Sequence, residues 1–106
     1  MELSSITQGE TREMMADTTF FYTYILVSEK DGKKYTGCTS DLPSRFEDHQ
    51  EGRVQSTKHR RPLRLIYFEA CLNKDDAYKR EKYLKTHYGK LFLGNRLKSY
   101  FTGRED

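Results

Sequence analysis

The least interrupted apolar stretch of the chain, FFYTYILV from Phe20 to Val27, carries aromatic and β-branched residues at odd and even positions alike. A strand with one wet side would alternate, so this run predicts a strand buried on both faces, at the centre of a sheet. The polar EKDGKK that follows contains Asp31-Gly32, a strong hairpin-turn signal, and a second strand over Tyr35–Thr39 is expected to pair antiparallel with the first. Ser40 or Asp41 then caps a helix that has Pro43 in its first turn, Leu42, Phe46 and His49 at helical spacing, and an end near Gly52. GRVQSTKHRRPLR holds five Lys/Arg and no acid and reads as a basic loop, after which LIYFEAC (Leu65–Cys71) gives a third strand. Asn73 caps a second helix to about His87, with Asp75 and Asp76 in its first turn and lysines later, as the helix dipole favours. Tyr88-Gly89 is expected to break it, and a third helix over residues 90–100 turns Leu91 and Leu97 inward, with Phe92 and Phe101 as further inward candidates. Residues 1–18 and 102–106 are polar and lack a sustained apolar period, so they are expected as tails around one domain at 19–101, and Met14-Met15 leaves a later translation start open.

Composition changes this picture in two places. A mean hydropathy of −0.93 and 33% charged residues leave little aliphatic core, but eight Tyr and six Phe supply large apolar area per residue, so the core should be aromatic-rich. The net charge of +3 hides an asymmetry: residues 1–51 carry five Lys/Arg against ten Asp/Glu, and residues 52–106 carry fourteen against six. A basic second half suits a polyanion-binding surface, because each phosphate contact releases counterions. Cys38 and Cys71 are too few and too far apart for a disulfide framework or a CxxC metal site, so reduced thiols are expected. With no signal-like segment and no long apolar run, the expected location is cytoplasmic, without a membrane.

Three features point toward chemistry. On the second helix Ala77, Glu81, Leu84 and Tyr88 share one stripe, which puts a carboxylate on the apolar face. It either snorkels or pairs with Lys85, or it is a partly buried ligand for a hard cation such as Mg²⁺. On the first helix Arg45 and His49, four apart, share the inward quadrant with Leu42 and Phe46. An arginine there suits the extra charge of a pentacovalent phosphorane, and a histidine suits phosphate binding or proton relay; each is also an ordinary surface or satisfied residue. Gly37, inside a strand, weakens the sheet unless a backbone or ligand must approach closely.

Tyr22-Thr23-Tyr24, ten residues, then Tyr35-Thr36-Gly37, followed by Arg45, His49 and Glu81, resembles the GIY-YIG nuclease family over roughly Phe20 to Phe101. The chain looks most like its small stand-alone bacterial members. The resemblance implies an α+β fold, a three-stranded antiparallel sheet flanked by about three helices in the order β-β-α-β-α-α, with Tyr24 and Tyr35 facing Arg45 and Glu81 across a shallow site. It implies an endonuclease that hydrolyses DNA phosphodiester bonds, in repair or recombination, with Mg²⁺ or Mn²⁺ held by Glu81. Arg45 adds positive charge, Tyr24 orients water or phosphate, and the general base is Tyr35, directly or by relay, or His49. An ordinary tyrosine pKa of about 10 makes the Tyr35 role demanding unless cations favour the phenolate.

The first triplet lacks the leading glycine of the family name, Cys38 stands where some relatives place a lysine, and Asn95 is the nearest candidate for an asparagine found beyond the glutamate in many members. Arg53, Lys58, Arg60, Arg61 and Lys85 are the expected DNA contacts, and a protein partner for targeting is compatible with the sequence. The competing function is a nucleic-acid-binding module with weak or lost catalysis. The set Tyr24, Tyr35, Arg45 and Glu81 weighs against it, because a pure binder of polyanions has no use for an inward carboxylate.

Overall fold

A computed structural model describes residues 18–103. Strand β1 (Phe21–Ser28) forms the middle of a three-stranded sheet, flanked by β2 (Lys34–Thr39) and β3 (Leu63–Cys71), and both pairings are antiparallel. Its apolar run is thereby used on both faces: Thr23 to Leu26 are all buried. The turn between β1 and β2 closes through the Gly32 amide on the Ser28 carbonyl (2.8 Å), with Gly32 at φ +72°, as the Asp-Gly signal predicts. In β3, Ile66 is an extra residue between the partners of Leu26 and Ile25, a bulge that returns Tyr67 to the face of Ile25.

The two faces carry separate halves of the core. On one, Tyr24 and Leu26 meet Leu42 and Leu63, with Phe46 and Tyr35 at the margin; helix α1 (Leu42–Gln50), capped by Asp41 accepting from the Ser44 amide, covers this side. On the other, Ile25 packs with Leu84 and Leu93, and Ile66, Tyr67, Phe92 and Leu97 close around them. Helix α2 (Lys74–Leu84), capped by Asn73, and helix α3 (His87–Arg96) supply this layer. The Thr23 hydroxyl ties α2 to the sheet through the Ala77 carbonyl at 3.1 Å. A short helix α4 (Lys98–Thr102) ends on Gly103.

The α+β class and the sheet agree with the sequence-based expectation; the C-terminal helices depart from it. α2 stops at Leu84 rather than near His87, and Thr86 caps a new helix by accepting from the Gly89 amide. Gly89 is therefore not a breaker. It sits inside the first turn of α3 where that turn crosses the end of α2, and a Cβ there would lie 2.0 Å from the Tyr83 carbonyl oxygen. The stripe set by Gly89 and Leu93 (1% exposed) puts Leu91, two residues before Leu93, on the far side of the helix at 51% exposure, so Leu91 does not face inward. The expected helix over 90–100 is broken at Leu97, and Phe101 on α4 is 42% exposed rather than inward. Leu97 and Phe92 do pack on the core. The expected tails at 1–17 and 104–106 lie outside the described residues, and no described helix is long and apolar enough to cross a membrane.

Candidate active site

Tyr24 points from the central strand toward β2, an edge strand, where it pairs with Gly37. A Cβ on Gly37 would stand 2.4 Å from both Cζ and Oη of Tyr24, so the hydroxyl end of the ring lies across the glycine. What approaches Gly37 closely is thus this ring. The Tyr24 hydroxyl is bonded to His49 Nε2 at 2.8 Å and meets the Arg45 guanidinium, and the charges of Tyr35 and Glu81 act on it. The rings of Tyr24, Tyr35 and His49 form a triangle with centroids 5.1 to 6.4 Å apart. Arg45 and His49 reach this cluster from one face of α1 because they are four residues apart; Glu81, on α2, acts on Tyr24 through its charge. Burial above all pushes the Tyr24 hydroxyl up to about 12; its bond to Arg45 opposes this, and Tyr35 and Glu81 add to it. Tyr24 is a protonated phenol at neutral pH.

His49 is fully buried, and its second ring nitrogen, Nδ1, lies 2.8 Å from the hydroxyl of Thr57, itself fully buried. Burial, and then the Arg45 charge, push its pKa down to about 4, with Asp48 opposing. The imidazole is therefore neutral and orients Tyr24 rather than adding charge. A folded pKa below the ordinary 6.5 means that the unfolded chain takes the proton first. The contribution is present in full above pH 6.5 and is lost as pH falls through about 4. Allowing for screening, it amounts to about 2 kcal/mol. Urea midpoints are expected to fall across this window in the native sequence and much less in His49→Gln. Equal slopes in the two proteins would assign the acid loss to another group.

Glu81 is one-fifth exposed at its side chain; Oε2 accepts from Lys85 Nζ at 3.3 Å, and Oε1 takes no hydrogen bond among the described residues. Among those residues no three His, Cys, Asp or Glu side chains cluster as ligands. One carboxylate, one-fifth exposed and with an unused oxygen, fits a hard cation such as Mg²⁺, which keeps most of its waters, and does not fit a zinc-type cage. Cys38, whose thiol is pushed up by burial first and then by Glu81, supplies no charge in place of a lysine. Asn95 is exposed on α3.

The sequence matches the GIY-YIG catalytic domain over residues 20–98. The chain belongs to the GIY-YIG nuclease family. Relatives include UPF0213 proteins of Staphylococcus aureus strains N315 and COL, each 40% identical over 72 residues that cover 67% of this chain and 84% of theirs. A UPF0213 protein of Bacillus halodurans, solved by solution NMR, is 35% identical over 70% of this chain and 81% of that one, with a TM-score of 0.44.

Within this GIY-YIG domain the expected DNA contacts do not form one surface of free cations. Arg53 pairs with Asp48 (2.8 Å) and Glu47 (3.7 Å). Arg61 bonds the carbonyls of Lys58 and Gln50 while its guanidinium packs beside Gly52. Arg60 pairs with Asp31 at 3.3 Å and bonds the Lys33 carbonyl at 2.9 Å, clamping the basic loop to the β1–β2 turn. Lys58 opens a single 3₁₀ turn, Lys58–Arg60. Arg60→Ala is expected to lower stability by about 1–2 kcal/mol, the scale of a partly exposed charged hydrogen bond. Denaturant melts test this, and an unchanged midpoint would show that the clamp contributes nothing.

Three residues that the fold brings to this cluster or to the cleft beside β2 are absent from the sequence-based set. Thr57 carried no local signal, because its partner is eight residues away on a helix. Lys33 and Lys90 looked like ordinary surface lysines, and only the fold brings them to one cleft.

Proposed function

We propose that this chain is a divalent-metal-dependent endonuclease that hydrolyses DNA phosphodiester bonds, acting in repair or recombination. The observation that carries this reading is the Tyr24 hydroxyl, which meets His49 and Arg45 while sensing Tyr35 and Glu81, so four elements converge on one polar atom. Arg45 is held firmly protonated by Tyr24 and presents fixed charge to a pentacovalent phosphorus. Tyr24, protonated, donates to a phosphate oxygen or to the attacking water. Tyr35 takes the water's proton, since His49 has both ring nitrogens engaged inside the fold. Water adds to phosphorus as the bond to the 3′ oxygen breaks, and that oxygen takes a proton from solvent, leaving a 5′-phosphate and a 3′-hydroxyl. Glu81 would hold a divalent cation, which would supply positive charge against the charge that builds up in the reaction.

One observation favours a binding module instead: Lys85 already pairs with Glu81. An exposed i,i+4 pair is worth only about 0.3–0.5 kcal/mol, too little to hold the carboxylate against a cation. Cleavage of supercoiled plasmid and of branched, flapped and plain duplexes in Mg²⁺ and Mn²⁺ tests the proposal. Metal-dependent cutting that disappears in Tyr35→Phe and Arg45→Ala is expected; salt-sensitive binding without cutting would favour the binding module.

A further inference from the structure

Between β2 with its preceding turn and helices α2 to α4 lies a cleft of about 760 Å³, walled by Lys33, Lys34, Lys85 and Lys90, with Tyr35 and Phe101. Tyr35 belongs to both the cleft and the catalytic cluster. Lys33 and Lys90 have no ion pair among the described residues, and Lys34 lies over the Phe101 ring, 4.8 Å from its centroid. The arginines Arg53, Arg60, Arg64 and Arg80, in contrast, are each paired with an acid. Unpaired cations in a cleft that shares Tyr35 with the cluster gain most from a polyanion, because no internal partner is given up. We propose that the DNA backbone runs through this lysine cleft and not along the arginine-rich loop, a proposal that rests on the nuclease reading above.

Binding of a duplex of fixed length in EDTA, followed by anisotropy across a salt series, tests it. Lys33→Gln/Lys90→Gln is expected to lower the slope of log affinity against log salt by about 1.8, as two lost phosphate contacts require. Arg53→Gln/Arg64→Gln is expected to leave the slope unchanged. The reverse pattern, or no change in the lysine pair, overturns the cleft alone. No binding by the unsubstituted chain overturns the nuclease reading as well.

Discussion

Replacing Glu81 by alanine is expected to abolish cleavage, by on the order of 10³-fold or more, while DNA affinity stays similar or rises slightly. The two halves of this expectation have one cause. Glu81 is the acidic side chain whose charge acts on Tyr24, so under the proposed nuclease reading it is the group that would hold the cation. A carboxylate facing phosphate is otherwise a repulsive element, and its removal also frees Lys85, now held at 3.3 Å, to meet the backbone. Gel shifts in EDTA paired with single-turnover cleavage in Mg²⁺ separate the two. Undiminished cutting by Glu81→Ala would mean that the cation is held elsewhere, and parallel loss of cutting and affinity would mean that Glu81 is structural.

The parts of this site legible in the sequence are those set by short-range periodicity. The two-sided apolar run of β1 placed it at the sheet centre, and i,i+4 spacing put Arg45 with His49 and Ala77 with Glu81 on inward faces, where the fold has them. What was not legible depends on which distant groups meet. The ion pairs of the basic loop were not legible because its acids, Asp31, Glu29 and Asp48, lie in other segments, and only folding brings them against Arg60, Arg64 and Arg53. Gly89 read as a helix breaker because glycine has one local meaning and a second, close packing, that sequence does not display. The expectation that Leu91 faces inward followed from that misreading, since the start of α3 sets the phase of its stripe.

Gly37→Ala is expected to damage the site through a single added methyl. The new Cβ would stand 2.4 Å from Cζ and Oη of Tyr24 and 2.9 Å from Cε1. The ring has nowhere cheap to go, because its hydroxyl is bonded to His49 and its body is packed in the core with Leu26 and Leu42. Forcing it aside costs about 1–3 kcal/mol as overpacking, and a buried His49 nitrogen left unpaired costs about as much again. Because one displacement causes both, the total is expected near about 3 kcal/mol, with cleavage reduced on the order of 10²-fold in the fraction that remains folded. A cycle with Tyr24→Phe tests the route. If the methyl acts by moving the Tyr24 hydroxyl, Gly37→Ala should lower kcat far less in the Tyr24→Phe background than in the native one. Additive losses would mean that the glycine matters to the β2 edge itself and not to the tyrosine that lies across it.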